Sequence, residues 1–378
     1  MLRIIKKALW GKGEAKADQE KFEELCKHSV QVLPADIISS LSVSPELQAE
    51  WKKSVLTNML FYEKYIYMQS NLPLTVPYVI LKGTAAAKYY PHPEYRIMGD
   101  IDIITRHEDF EKAYQEFVAD GYKIDKVLNR EIGFVKNGVM VELHQYFASL
   151  NDTKKAEYMD DLIISNINPT HEMPDLINGI VLLEHISQHL ENGLGLRQII
   201  DWMMFVDKCL PDERWQEFRA MAEKIGMETL AIVTTRMCEI YLGLETRKWC
   251  AEADELLCKE LMDYVIKSGN FGNKRAEDEK GEDILTYART PKAVFKMLQE
   301  RGLENWKAVR KCKYLRPFAW IYQSFRYLYR GLRRDNAAAK FRSDHGVAKR
   351  RQVLFDKLGA SRAYRGLAFY KDGKYKKK

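Results

Sequence analysis

Three carboxylates and one glycine turn hold most of the chemistry in this chain. Asp100 and Asp102 stand two apart in GDIDII (residues 99–104). Strand side chains alternate between faces, so both acids point one way and Ile101 and Ile103 point into a core. Two acids side by side repel each other. Mg²⁺, which one or two carboxylates hold together with substrate phosphates, relieves that repulsion. Glu142 and His144 alternate with Val139, Val141 and Leu143. They share the polar face of a second strand, where Glu142 supplies a third acid. Three carboxylates can hold two Mg²⁺ ions that clamp the attacking and leaving oxygens of an in-line displacement. Upstream, the apolar run YVIL (78–81) ends at Lys82-Gly83-Thr84, and Ala85-Ala86-Ala87 suits a helix start. A Gly-Thr turn at a helix N-terminus offers N–H groups, a hydroxyl and the positive end of the dipole, a setting for phosphate. Lys82 and Arg96 can neutralise phosphate charge. These parts add up to transfer from a nucleoside triphosphate. An Asp-x-Asp pair alone is more often ion-paired at a strand end; the order Gly83, Arg96, Glu142 around it favours the metal site.

The flanking sequence supplies strands and helices to hold these residues. Thr105-x-x-Glu108 reads as a capping box opening a helix over 108–120, with Gly121 to end it. A strand follows over 122–127. Asn137-Gly138 joins strands 132–135 and 139–147 in a hairpin. Ahead of the sheet, residues 1–16 read as a basic arm and 16–31 as a helix. Ser44-Pro45-Glu46 starts a helix that runs to about residue 70, with Leu56, Leu60 and Tyr67 facing inward. Beyond Pro174 the periodicity is helical over 175–190, 198–209, 213–225 and 228–242. Residues 268–283 have little to bury and read as an exposed loop, and Thr290-Pro291 begins a last helical region.

The stretches LKGTAAAKYYPHPEYRIMGDIDI, VELHQ and HLENGLGLRQIID resemble the bacterial nucleotidyltransferases of the DNA polymerase β-like superfamily. The resemblance spans about residues 78–207. It implies an α+β fold: a small mixed β-sheet flanked by helices, followed by a mainly α-helical C-terminal region. It also implies Mg²⁺-dependent nucleotidyl transfer, with Mn²⁺ as an alternative ion. Asp100 and Asp102 would be metal ligands and Glu142 the third ligand or base. Gly83 and Thr84 would hold the β- and γ-phosphates. On the acceptor side it suggests His189, Arg197 and Asp201, and His144 reads as a structural or substrate-side residue. Gly-Thr stands where the family usually has Gly-Ser, and Glu where it has a third Asp. His185 and His189 share a helix face without a third ligand, which argues against zinc.

Length and composition set the frame. The chain has 378 residues, 46% hydrophobic and 30% charged, as a globular protein would. No apolar run is long enough to span a membrane, and residues 1–16 are too short in apolar length for a signal peptide. Six cysteines lack any CxxC spacing, which points to reduced thiols and the cytoplasm. Residues 301–378 hold 23 Lys+Arg against 5 Asp+Glu, a net +18; the whole chain is +7, so residues 1–300 carry −11. A polyanion or an anionic membrane surface would meet residues 317–378 first. The expected regions are an N-terminal helical cover (1–71), a catalytic core (72–152), a helical bundle (153–268), a loop (269–284) and a basic helical region (285–378). The expected partners are an NTP and a hydroxyl or phosphate acceptor, whether small molecule, protein or RNA. A nucleotidyltransferase fold without turnover, acting as a binding or regulatory module, and a nucleic-acid or membrane-surface binder acting through the basic C-terminal tail are the alternative readings.

Overall fold

A computed structural model describes residues 1–127, 130–150, 152–269, 290–306, 308–309, 312–332 and 337–360. The chain divides into two compact units, residues 1–274 and 275–378. The first is α+β and holds a five-stranded mixed sheet; the second is helical where described.

The sheet order is β1-β2-β5-β4-β3, built from β1 (Tyr78–Leu81), β2 (Ile101–Thr105), β3 (Lys123–Val127), β4 (Glu131–Lys136) and β5 (Val139–His144). β2 runs antiparallel to β1 and parallel to β5; β4 runs antiparallel to both β5 and β3. Asn137 (φ 52°) and Gly138 (φ 72°) form the tight turn that the Asn-Gly pair predicts, and the turn fixes the β4–β5 register. Between β1 and β2 lies the short α4 (Gly83–Ala87); between β2 and β3, α5 (Phe110–Ala119) packs Phe110, Ala113 and Phe117 on the apolar sheet face formed by Ile101, Ile103, Phe134, Val141 and Leu143. Phe117 stacks on Phe134 at 4.8 Å. Truncating such a buried ring to Ala typically costs about 3–5 kcal/mol. Gly121 (φ 81°) ends α5 as expected.

Several local expectations change. Thr105 does not cap α5. It ends β2, fully buried, and a short 3₁₀ turn over His107–Asp109 precedes the helix. Thr105 pairs with Tyr78 of β1, which holds it in the strand rather than at the helix start. Residues 1–16 are not a free arm: α1 (Leu2–Trp10) buries Ile4 and Ile5 completely, and the Trp10 indole N–H donates to the Leu242 carbonyl at 2.8 Å. α2 (Gln19–Lys27) is shorter than the 16–31 reading. α3 (Pro45–Ser70) begins as predicted, the Ser44 hydroxyl accepting the Leu47 N–H at 3.2 Å. It buries Leu47, Trp51, Tyr65 and Met68, and leaves Leu56 (59%), Leu60 (65%) and Tyr67 (67%) exposed. α3 is apolar on more than one face, and packing, not pattern, chose among them.

The helical half of the first unit contains α6 (Thr153–Ile164), α7 (Asp175–Asn192), α8 (Leu196–Cys209), α9 (Trp215–Ile225), α10 (Glu228–Leu242) and α11 (Glu255–Ser268). α8 is its axis, buried from Leu196 to Val206. Gly179 of α7 lets the two helices close: a Cβ there would sit 2.2 Å from the Phe205 ring. In the second unit, α12 (Pro291–Asn305) and α13 (Ala319–Leu332) pack together, and α14 (Ala337–Lys357) follows. The stripe through Phe318, Phe325 and Leu328 is exposed. Residues 270–289, most of the expected loop, and the terminal 361–378 lie outside the described residues. No described helix is long and apolar enough to cross a membrane.

Candidate active site

The polar face of the sheet looks toward α7 and α8 across a cavity of about 270 Å³. The parallel pairing of β2 with β5 sets Asp102 directly beside Glu142, and Ile104 beside His144. Ligand atoms of Asp102, Glu142 and His144 all lie within 4.8 Å of one another, and all three residues are buried. His144 Nε2 is 2.9 Å from Asp102 Oδ1, and its Nδ1 is 3.4 Å from Glu131. Asp100 lies just before β2 rather than in it, half-buried, and lines the same cavity.

Lysines sit on both buried acids. Lys82 Nζ is 2.7 Å from Asp102 Oδ1 and 5.7 Å from the Phe147 ring centroid. Lys126 pairs with Glu142 and, at 3.2 Å, with Glu131. Lys126 reaches Glu142 by crossing over Gly133, the residue between them in the sheet; a Cβ on Gly133 would meet the Lys126 Cγ at 2.8 Å. Lys82 takes φ 51°, ψ −135°, a conformation L side chains rarely adopt, and Gly83 follows at φ 33°.

Burial dominates the electrostatics. It pushes Asp102 up to about 7 against the pull of Lys82, with Asp100 adding to the rise. It raises Glu142 as well, and the Asp102 and Asp100 charges act in the same direction. Burial, then Lys82, brings His144 down to about 4, so its ring is neutral at pH 7. The Lys82 ammonium is disfavoured by burial, but Asp102, Asp100 and Glu142 together outweigh that and hold its pKa above the ordinary lysine value.

Most of the residues singled out in the sequence meet here. Lys82, Gly83, Arg96, Asp100, Glu142, His144, His189 and Arg197 line the cavity, and Asp102 lies beneath Lys82. Thr84 does not line it; its hydroxyl donates to Gln69 Oε1 at 2.5 Å. Asp201 is behind the wall. It accepts two 2.7 Å hydrogen bonds from Arg96 and one from the Tyr90 hydroxyl. Arg197 donates to the Ile97 carbonyl at 3.1 Å, and His189 Nε2 lies 2.9 Å from His185 Nε2. Lys126, Arg130, Glu131 and Gln188 also line the cavity and went unnoticed in the sequence. The hairpin register offered a signal for Glu131: counting outward from Asn137-Gly138 pairs it with His144.

The donor set suits a divalent cation. Two carboxylates supply hard oxygens, the His144 ring can add a nitrogen, and the surrounding cations suit a polyphosphate. A family model described as an uncharacterised nucleotidyltransferase matches residues 10–243. No curated protein and no solved structure matches the chain.

Proposed function

The chain belongs to an uncharacterised nucleotidyltransferase family, and from that membership we propose that it is a Mg²⁺-dependent enzyme moving an NMP from an NTP to a hydroxyl or phosphate acceptor. The observation that carries this reading is the buried Asp102–Glu142–His144 group: Glu142 and His144 line a cavity shared with Lys82, Lys126, Arg130 and Arg197, and Asp102 lies behind Lys82. Asp102 and Glu142, with Asp100 at the rim, would hold the metal. A bound divalent cation there supplies charge neutralisation at the reacting phosphate.

The chain's own groups would do the rest. Lys82, the Gly83 backbone and Lys126 receive the triphosphate. The acceptor oxygen bonds to the α-phosphorus, the Pα–O–Pβ bond breaks, and pyrophosphate leaves. The acceptor's proton passes to a carboxylate, and Glu142 is the buried acid that lines the cavity. His185, Gln188, His189 and Arg197 form the opposite wall, where an acceptor would lie.

The test is incubation of the purified chain with Mg²⁺ and each α-labelled NTP in cell lysate, beside Asp102→Asn. A labelled product made by wild type and absent with the variant is the expected result, and its size identifies the acceptor class. An equal yield from a folded Asp102→Asn protein would remove Asp102, and with it the metal mechanism.

A further inference from the structure

We propose that Lys82 is the resident counter-ion of the carboxylate site, displaced from Asp102 by a divalent cation and taken up by the nucleotide's triphosphate. The proposal rests on the metal-dependent reading above and adds how metal and nucleotide binding are coupled.

Three features carry it. Lys82 and His144 contact the same oxygen, Asp102 Oδ1, at 2.7 and 2.9 Å. That oxygen belongs to the group whose ligand atoms lie within 4.8 Å of one another, so the ammonium stands against a ligand atom of the cation site. Next, Lys82 lines the cavity whereas Asp102 does not; the ammonium separates the acid from the space where nucleotide would bind. Finally, Lys82 holds φ 51°, a backbone that glycine suits far better than lysine. Only glycine would sit there at less strain, so the chain carries this lysine side chain at a conformational cost.

An ammonium and a dication at one carboxylate oxygen repel each other, so the two exclude one another. Lysine's flexible stem allows the ammonium to move while its backbone stays. Lys126 differs: its second acid, Glu131 at 3.2 Å, retains it when Glu142 is engaged elsewhere. Among the described residues Lys82 has Asp102 as its one ion-pair partner, so it needs a new anion when it leaves. A triphosphate in the cavity provides one. The ion alone therefore binds weakly, and ion and nucleotide strengthen each other's binding.

The experiment titrates the full chain with Mn²⁺ and follows the paramagnetic resonance of free Mn²⁺, first without nucleotide. Lys82→Met should bind at least about tenfold tighter than wild type, and Lys82→Arg no tighter. A non-hydrolysable ATP analogue should tighten Mn²⁺ binding in wild type and do so less in Lys82→Met. Adding Asp102→Asn to Lys82→Met should abolish the gain. Lys82→Gly, which suits the positive φ, replaces Lys82→Met if that variant unfolds. Equal, Asp102-dependent affinity in wild type and Lys82→Met would keep the metal site and overturn the exchange. Absence of Mn²⁺ binding in both would remove the metal-site reading, and the exchange with it.

Discussion

Arg96 reaches Asp201 through two parallel 2.7 Å hydrogen bonds, and Tyr90 closes the group from the other side. The pair joins the loop ahead of β2 to α8, so it fixes where Asp100 enters the site. Breaking a buried pair strands a charge, which costs about 3–5 kcal/mol. Asp201→Ala should therefore lower unfolding free energy by that much in urea titration, and Arg96→Met combined with Asp201→Leu should recover part of it. A loss under about 1 kcal/mol would mean that Arg96 finds another partner. At this scale the sequence pointed to residues that meet around one cavity more readily than to their partners. Arg96 reads as a phosphate ligand in LKG…R…DIDI because that spacing places it near the acids, and it does line the cavity. Nothing local in the sequence indicates that a residue 105 positions away holds it. Thr84 illustrates the same limit, its hydroxyl being claimed by Gln69 of α3.

At the scale of elements, β4 needs a glycine where Lys126 crosses toward Glu142. Gly133→Val should push the Lys126 stem aside and lower transfer activity on the order of tenfold, about 1.4 kcal/mol of barrier, with little change in thermal midpoint. Full activity in that variant would show that Lys126 need not touch Glu142. The strands and the hairpin were legible because alternation and Asn-Gly chemistry are local properties. Their order was not: the parallel β2–β5 pairing, which creates the Asp102–Glu142 contact, is settled by long-range packing. The inward face of α3 and the burial of α1 were hidden for the same reason, since each depends on a surface supplied by distant residues.

For the whole molecule, the first unit carries a pH-sensitive tie in its core. His28 is buried, its Nδ1 accepts the Leu196 N–H at 3.3 Å, and burial, then Lys27, brings its pKa from 6.5 down to about 4. The folded state thus resists a proton that the unfolded chain accepts. The contribution is complete above pH 6.5 and is lost as pH falls toward 4. Its size is roughly 3 kcal/mol. Urea titrations at pH 7 and pH 4 should show that loss, and His28→Gln should remove this share of the slope while His185 and His189 keep theirs. Equal slopes in wild type and variant would exclude His28 as the source. Composition announced the acidic body and basic C-terminal region, yet it could not reveal a buried histidine whose partner lies 168 residues away.

The parallel pairing of β2 with β5 also has a consequence for synthesis of the chain. Asp102 leaves the ribosome 40 residues before Glu142, and until β5 follows, β2 has β1 on one side and an open edge on the other. A chain that stops short of His144 presents that edge, with Ile101, Ile103 and Ile104 along it, as a template for any other unpaired strand. The strand that sets Glu142 beside Asp102 is thus also the one that covers the open edge of β2, so truncation within residues 106–143 should cost solubility as well as that pairing.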